Sequence, residues 1–449
     1  MSKTITVLKS ARSLRVLTAE LLVSGGDERL RLNTQGINKY NCPPTPNETI
    51  LSFSSSTAST ISSENFASLE QYIARLQNDV KKTDELTLYE RETERQKTEW
   101  RSLLQCSSRT HVLFSPSGTD VHALIAAQLP EKTLIIMVEA NETGSGVAKA
   151  LAHGNNEVEV VSISLRLSNT TPRSMDECDA QVTAQVEKGM TQARHVLLVL
   201  VDQSKTGMIA PSPACAMQLK ARYGEKLTVL VDACQFRVSA QTLRAYLAQD
   251  FMVATTGSKF LSAPSFSAML FLPEKTVVRS LNNSPNWGLL ARMEVALMQY
   301  RVFSELSDAK ICSIIADFTQ VISHYIASSA TFSPLPVNEL KRDRLIDVTS
   351  WDVMPTIFPF ILYKNQQPLS RTQTLACYHQ LPLQDMPCQI GQPVACGEIE
   401  GIEVSALRFC LSSRIIAQAA QSTYHHNQLI YNTLRVFASI EKLVASDLI

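Results

Sequence analysis

The sequence predicts an α/β protein in which helices cover both faces of a mostly parallel sheet, followed by a small α+β domain. Apolar segments rich in Val, Ile and Leu alternate with stretches of helical periodicity through the middle of the chain. Continuous apolar strands that alternate with helices are typical of parallel sheets buried on both faces. The length of 449 residues and the hydrophobic content of 45% suffice for one large core and one smaller core.

The predicted elements begin with residues 1–64, which mix short strand-like segments with turn formers such as CPPTPNET and the serine-rich run SFSSSTASTISS. We expect this segment to wrap the large domain rather than to form a domain of its own. From residue 65 to 106, apolar residues recur at helical spacing and charges then dominate, which predicts one or two long amphipathic helices. The predicted strands of the large domain are TLIIMV from 133, VEVVSISL from 158, HVLLVLVD from 195, LTVLVDA from 227, DFMVATT from 250 and AMLFL from 268.

Further helices are predicted between Pro285 and about residue 332, where the segment SPLPVNEL marks a domain boundary. The remainder contains the strand-like segments IFPFILY and LRFCLS, a cysteine-rich loop between them and helices at the end. We therefore predict three parts: an N-terminal segment (1–64), a large domain (65–332) and a small C-terminal domain (333–449).

Charge and composition argue against several classes of partner. Lys+Arg and Asp+Glu number 42 each, so no global field favours a nucleic acid or an anionic membrane surface. No apolar run approaches the roughly 20 residues that a membrane span requires, and the N-terminus lacks the pattern of a signal peptide. The ten cysteines form no CxxC pair, which indicates reduced thiols and a cytoplasmic location. The adjacent His425 and His426 suggest either a metal site or two solvent-facing side chains, and we predict no metal.

Polar clusters follow the predicted strands, and ligands of open parallel sheets bind at the carboxyl ends of strands. Lys259 lies between a buried strand and the apolar stretch FLSAPSFSAMLFL. Partial desolvation of such a lysine lowers its pKa and makes its amine available for Schiff-base chemistry. The alternative is a surface lysine in a loop.

Two further clusters complement Lys259. Asp232 ends an earlier strand, and a buried carboxylate requires a cationic partner such as a protonated pyridine nitrogen; otherwise it caps a helix. The segment SPSGTD (115–120) opens a helix whose N–H groups and dipole can receive a phosphate, although it also fits an ordinary capping turn. Together these features provide a phosphate cradle, a pyridinium partner and an amine, and they predict pyridoxal 5'-phosphate (PLP) as cofactor.

Over roughly residues 50–420, the sequence resembles the class V aminotransferase and cysteine desulfurase branch of fold-type I PLP enzymes. The segments DACQ and TTGSK resemble that branch's D-x-x-Q and S/T-G-H/S-K signatures. The resemblance implies the aspartate-aminotransferase superfold. It also implies that Asp232 pairs with the pyridine nitrogen, that Gln235 hydrogen-bonds the phenolic oxygen, and that Lys259 holds the cofactor as a Schiff base and shuttles protons.

The resemblance extends to the phosphate site. It implies that Thr256 and Ser258 contact the phosphate, and that Gly118, Thr119 and Asp120 match the G-T-T-like loop that cradles it through backbone amides.

The resemblance also implies a homodimer with composite active sites. The turn Asn283-Ser284-Pro285-Asn286 resembles the G-T-P-N turn that reaches the partner's phosphate, with Ser284 as donor. The strand ALRFCLSS resembles the one that carries an arginine for the substrate α-carboxylate, which assigns this role to Arg408. The alternative for Arg408 is a surface position on an edge strand.

The chain departs from the family pattern in two cofactor contacts. Where relatives stack a His or Phe on the cofactor ring, EANETGSG provides Glu142 or Thr143. Where relatives often carry an Asn near the cofactor, QSKTG provides Ser204, with Lys205 beside it. Glu142 and Lys205 are unusual additional candidates for acid–base chemistry.

A third departure concerns the mobile-loop cysteine of desulfurases. The loop CQIGQPVACGE aligns Val394 with that position, while Cys388 and Cys396 lie nearby and Cys377 lies farther away in the sequence. A nucleophilic thiolate requires a specific exposed environment. This departure counts against plain desulfurase activity.

We therefore predict a PLP-dependent lyase or transferase that acts on an amino acid by β- or γ-elimination or replacement. Transamination, cysteine desulfuration and a non-catalytic protein that kept the PLP fold are the alternatives, in that order. The serine-rich segment, with Ser56 and Thr57, suggests added walls around a bulky substrate, for which S-adenosylmethionine is one speculation.

Overall fold

The computed structural model describes residue 8 and residues 12–152, 158–276, 284–347, 350–446 and 449. Within these ranges the strands are, in chain order, β1 (Leu51–Phe53), β2 (His111–Ser115), β3 (Thr133–Val138), β4 (Glu159–Ile163), β5 (His195–Asp202), β6 (Ile209–Ala210), β7 (Leu227–Ala233), β8 (Met252–Thr256), β9 (Ala268–Leu272), β10 (Phe332–Pro334), β11 (Ile357–Lys364), β12 (Gln367–Pro368), β13 (Cys388–Ile399) and β14 (Ile402–Cys410).

The α-helices of the same ranges are α1 (Leu14–Leu22), α2 (Ser63–Asp79), α3 (Glu85–Leu103), α4 (Gly118–Ala126), α5 (Val147–Leu151), α6 (Met175–Thr191), α7 (Pro213–Tyr223), α8 (Ala240–Ala248), α9 (Trp287–Ser304), α10 (Asp308–Ser328), α11 (Arg371–Gln380), α12 (Ser413–Gln421) and α13 (Thr423–Ala445). Among the described residues, no helix combines the length and the apolar character needed to cross a membrane.

The large sheet has the strand order β2-β9-β8-β7-β5-β3-β4, with β6 paired to β5. Strands β4, β3, β5, β7 and β8 run parallel, whereas β9 runs antiparallel to β8 and β2. The apolar runs identified in the sequence form β3, β4, β5, β7, β8 and β9, and every residue of β3 and β9 is buried. The prediction of an α/β fold with a mostly parallel central sheet is confirmed.

Helix starts in this domain are set by side-chain caps. Ser62, Asp84 and Ser117 precede α2, α3 and α4, and each accepts a hydrogen bond from a backbone N–H of the first turn, which satisfies a donor that the helix itself leaves unpaired. Helix α9 packs against α1, α2 and α3 and is buried around most of its circumference. Its Arg292 is fully buried and donates to the carbonyl oxygens of Ser24 at 2.6 Å and Phe266 at 2.8 Å.

The small sheet has the order β1-β13-β14-β11-β10, with β12 on β11. Strand β1 runs parallel to β13, and the other pairs are antiparallel. The N-terminal segment thus contributes an edge strand to the C-terminal sheet. Helix α10 packs against β10, α12 and α13, which associates it with this sheet although the sequence places it in the large domain.

A buried ion pair joins the segment between the two sheets to the large domain. Arg342 donates from Nε and Nη2 to the two carboxylate oxygens of Asp202, each at 2.7 Å, and both side chains are fully buried. The hydroxyl of Tyr246 donates to the same carboxylate at 2.7 Å. Arg342 also donates to the carbonyl oxygen of Asp352 at 2.8 Å. These bonds fix the chain segment that leads into the small sheet.

Candidate active site

A cavity of about 790 Å³ lies between the carboxyl ends of the parallel strands and the small sheet. The site residues predicted from the sequence that line it are Ser56, Thr57, Gly118, Thr119, Glu142, Asp232, Gln235, Thr256, Ser258, Lys259 and Arg408. The predicted residues Asp120, Ser204 and Ser284 lie outside its wall. Residues widely separated in sequence therefore converge on one cavity, at the edge of the sheet where ligands of α/β proteins bind.

Lys259 reaches the cavity from the turn that follows β8. Gly257 permits this turn because a Cβ at its position would lie 2.6 Å from the Cβ of Ala296. Burial lowers the pKa of the Lys259 ammonium, although the nearby Cys234 and Asp232 oppose the shift. Among the described residues, none accepts a hydrogen bond from Nζ of Lys259. Its amine is therefore close to a carboxylate and free to react.

Asp232 lies at the end of β7, and both of its carboxylate oxygens are engaged. Thr143 Oγ1 donates to Oδ2 at 2.8 Å, and the backbone N–H of Cys234 donates to Oδ1 at 3.1 Å. Nε2 of His122 lies 3.8 Å from Oδ2. Burial raises the pKa of Asp232, but His122 and the hydrogen bonds outweigh burial and hold that pKa below its ordinary value. Asp232 is thus a buried carboxylate that favours its charged form.

The N-terminus of α4 forms the wall next to Asp232. Gly118 opens the helix, and a Cβ there would lie 3.0 Å from Sγ of Cys234, so glycine allows the helix to approach the loop after β7. Ser117 Oγ donates to Oδ2 of Asp120 at 2.6 Å and accepts from the Asp120 N–H at 3.2 Å. The Asp120 side chain is therefore part of the N-terminal cap of α4. Thr256 Oγ1 donates to the carbonyl oxygen of Cys234 at 2.7 Å.

Glu142 lines the cavity, but its carboxylate is bound by other side chains. It accepts hydrogen bonds from Nε of Arg166 at 3.2 Å, from Ser204 Oγ at 2.8 Å and from Thr206 Oγ1 at 2.7 Å. Because Arg166 is itself buried, the pair is an internal ion pair with satisfied oxygens. Ser204 is buried behind the wall and contacts Glu142.

Arg408 comes from β14 and is buried at the small-sheet side of the cavity. Its Nε and Nη2 donate to the carbonyl oxygen of Gln392 at 3.0 and 2.7 Å, and Nη2 also donates to Thr57 Oγ1 at 3.2 Å. Gly391 makes room for this arrangement, because a Cβ there would lie 2.5 Å from Ser56 Oγ and 3.0 Å from Cβ of Arg408. The serine-rich segment and Arg408 thus form one wall.

Six of the sixteen buried side-chain polar atoms that lack a hydrogen-bond partner among the described residues belong to this cavity wall. Within the described part of the chain they include Oγ of Ser56, Nε2 of His122, both amide atoms of Gln203, Oε1 of Gln235 and Oγ of Ser265, and all five residues line the wall. Buried polar groups in proteins are normally paired. The wall is therefore built to accept a polar ligand, and its donors and acceptors fit a phosphorylated pyridine cofactor.

His122, Gln203 and Ser265 were not identified from the sequence. His122 follows Gly118 by one helical turn, so helical spacing from the predicted phosphate segment could have found it. Gln203 lies in LVDQSKTG, where the family pattern points to Ser204 and Lys205 instead. Ser265 lies in an apolar stretch and carries no signal in the sequence.

The three cysteines considered as sulfur carriers, Cys377, Cys388 and Cys396, are buried outside the cavity wall. Burial raises the pKa of the Cys377 and Cys388 thiols to about 12 and that of Cys396 to about 11. Val394 is buried in β13. All ten cysteines are free thiols.

The remaining predicted positions lie at the surface. Ser284 is exposed, and Asn283 lies outside the described residues. His425 contacts Ser422 Oγ through Nδ1 at 2.8 Å, and Nε2 of His426 lies 3.3 Å from Asp317. In the ranges that the structure describes, no three His, Cys, Asp or Glu side chains are grouped as for a metal ion.

No protein-family model and no curated protein sequence matches the chain. Solved structures share its fold: a NifS-like protein from Rickettsia africae at 11% identity (TM-score 0.57, 88% of this chain, 99% of that one), and the cystine C–S lyase C-DES in complex with cysteine persulfide at 12% identity (TM-score 0.55, 86% and 97%). SPT with PLP is similar at 13% identity (TM-score 0.50, 79% and 77%). The predicted fold of fold-type I PLP enzymes is therefore confirmed.

Proposed function

We propose that this chain binds PLP in the 790 Å³ cavity through Lys259 and acts on an α-amino acid. The observation that carries the proposal is the position of Lys259: its amine has no hydrogen-bond acceptor among the described residues, and it faces a cavity whose wall holds the ionised carboxylate of Asp232. The unpaired atoms of His122, Gln203 and Gln235 in the same wall support a polar cofactor.

The wall supplies a residue for each end of the cofactor. Asp232 would pair with the pyridine nitrogen. Gln235 would accept a hydrogen bond from the phenolic hydroxyl through its unpaired Oε1, while its Nε2 donates to the carbonyl oxygen of Ser56 at 3.2 Å. The start of α4 and the hydroxyl of Ser258 would hold the phosphate, because helix N-termini favour anions. When bound, PLP supplies a carbonyl that links covalently to an amine and a ring that accepts electron density from the substrate Cα.

The chain's own side chains then position the substrate and move a proton. Arg408 attracts the α-carboxylate by charge, although carbonyl oxygens and Thr57 already occupy most of its N–H groups. Once the Lys259 amine is released by the incoming substrate, its lowered pKa suits it to remove the proton at Cα.

For the reaction itself we propose elimination or replacement at the β or γ carbon. The similarity in fold to a cystine C–S lyase supports it. A persulfide route through Cys388 or Cys396 receives no such support, because both thiols are buried outside the cavity wall and hold raised pKa values. Carbon–heteroatom cleavage does not require a protein thiolate.

We further propose a homodimer in which Ser284 serves the partner's site. Ser284 is exposed and lies outside the cavity of its own chain, as a donor to a neighbouring subunit requires. Molecular mass in solution, measured by light scattering, tests the dimer.

The cofactor is tested by absorbance of the protein after incubation with PLP. We expect a band near the visible edge that shifts on borohydride reduction and is absent in Lys259→Ala. Lys188→Ala, which changes an exposed lysine on α6 outside the cavity, is the matched control and should retain the band. Peptide mass spectrometry after reduction should locate the adduct on Lys259. A protein that stays colourless, or an adduct on another lysine, would refute the proposal.

The reaction is tested by adding single amino acids to the loaded protein and identifying the products by mass spectrometry. A keto acid with loss of the side-chain substituent indicates elimination, and an exchanged substituent indicates replacement. A keto acid that keeps its side chain, formed together with an aminated cofactor, would show transamination instead.

A further inference from the structure

The backbone of Lys205 is fixed between two residues of the cavity wall. Its N–H donates to the carbonyl oxygen of Glu142 at 2.7 Å, and its carbonyl oxygen accepts from Nη1 of Arg408 at 3.2 Å. The side chain is half-buried and lines the cavity. Nζ donates to the carbonyl oxygen of Ala140 at 3.0 Å, and among the described residues no carboxylate lies within ion-pair distance of it. Lys205 therefore places an unneutralised cation next to Arg408.

The acidic residues of the wall have other roles. Glu142 is bound to Arg166, Ser204 and Thr206. Asp232 receives hydrogen bonds from Thr143 and Cys234. The remaining acid of the wall, Glu28, is exposed. The protein thus leaves two cations, Lys205 and Arg408, without a carboxylate of their own at the substrate end.

A single α-carboxylate neutralises one of these two charges. Burying the second cation beneath a bound substrate without a counter-ion would cost free energy. Ser56 Oγ and the Gln203 amide, which are buried and unpaired in the same wall, can supply hydrogen bonds to further oxygen atoms.

We propose that the substrate is an α-amino acid whose side chain carries a second anionic group, such as a carboxylate, sulfinate or sulfonate, and that Lys205 recognises this group. The inference rests on the proposed function and specifies its substrate class. It disfavours S-adenosylmethionine, because a sulfonium cation would be repelled by both Lys205 and Arg408.

The test uses PLP-loaded protein titrated with matched pairs of amino acids, aspartate against asparagine and glutamate against glutamine. Dissociation constants are obtained from the change in cofactor absorbance and, independently, by calorimetry. We expect the acidic member of at least one pair to bind about tenfold more tightly, the effect of one hydrogen bond between charged groups. Lys205→Met should abolish the difference by weakening the acidic ligand, whereas Lys205→Arg should retain it. The control Lys188→Met should leave the ratio unchanged.

Equal affinities within both pairs, or a preference that survives in Lys205→Met, would overturn the inference while the proposed function stands. Loaded protein that responds to no amino acid, or protein that takes up no PLP, would overturn both. The comparison within each pair uses the unaltered protein, so it decides the matter even if Lys205→Met does not fold.

Discussion

The hydroxyl of Thr143 donates a hydrogen bond of 2.8 Å to the same carboxylate oxygen of Asp232 that lies 3.8 Å from Nε2 of His122. Nδ1 of His122 lies 2.6 Å from the carbonyl oxygen of Gly118, and because a carbonyl only accepts, Nδ1 carries the proton. The start of α4, the loop after β3 and the end of β7 thus meet at one carboxylate. We infer that this contact keeps Asp232 oriented and charged before any ligand arrives.

Thr143→Val should therefore weaken PLP binding without removing it. The substitution keeps the shape of the side chain but deletes the donor, and a hydrogen bond to a charged group contributes about 1.5–3 kcal/mol. We expect the dissociation constant for PLP, measured by equilibrium titration of the apoprotein, to rise at least about tenfold. Thr143→Ser keeps the hydroxyl and should bind within about twofold of the original protein. Unchanged affinity in Thr143→Val would show that the contact does not support the cofactor.

The sequence was sufficient to predict the central sheet and the amine at its edge. The strands were visible because buried parallel strands are continuously apolar, and Lys259 and Asp232 were found because they directly follow such strands. The residues that hold Lys259 and Asp232 in position could not be predicted from the sequence. The ion pair of Glu142 with Arg166 joins two loops whose proximity depends on the pairing of β3 with β4, and neither residue identifies the other in the sequence.

Strand β1 is an element of the fold that the sequence alone could not predict. Its three residues pair with Cys388, Gln389 and Ile390 of β13, from nearly the other end of the chain. The segment LSF is too short to be distinguished from a loop by periodicity. The pairing depends on the tertiary arrangement, because β13 offers an edge that only the folded small sheet creates.

The buried ion pair of Arg342 with Asp202 should be necessary for stability. Arg342→Met leaves the Asp202 carboxylate buried without its counter-ion, and breaking such a pair typically costs about 3–5 kcal/mol. We expect a loss of this size in the free energy of unfolding, measured by urea denaturation. The control is Arg371→Met, which removes an exposed ion pair with Glu403 and should cost less than about 1 kcal/mol. Similar losses in both variants would argue against a special role for the Arg342 pair.

The thiols of Cys377 and Cys388 should resist alkylation in the folded protein. Burial raises both pKa values to about 12, so at pH 8 only about one thiol in ten thousand is ionised, compared with roughly a quarter at the ordinary value near 8.5. Peptide-resolved mass spectrometry after brief treatment with iodoacetamide should show little label at either position and full label after unfolding. Cys312, which is only half-buried on α10, should react earlier. Rapid labelling of Cys388 in the folded protein would reopen a persulfide route.

The preference for acidic amino acids should disappear as the pH rises through about 8. Burial, together with the like charges of Arg408 and Lys259, lowers the pKa of Lys205 to about 8, while Glu142 opposes the shift. Below this pKa the side chain is an ammonium that attracts an anion, and above it the side chain is a neutral amine.

The measurement is the ratio of the dissociation constants of asparagine and aspartate from about pH 6 to about pH 10. Taking the ratio cancels the titration of the cofactor, which both ligands share, and dividing by the same ratio in Lys205→Met removes the difference between the amino-group titrations of the two ligands. We expect this normalised ratio to be high below about pH 8 and to fall as the pH rises above it in the original protein. Relative to Lys205→Met, Lys205→Arg should give a high ratio throughout, because a guanidinium stays charged over this range. A ratio in the original protein that is independent of pH would assign recognition of the side-chain anion to Arg408 rather than to Lys205.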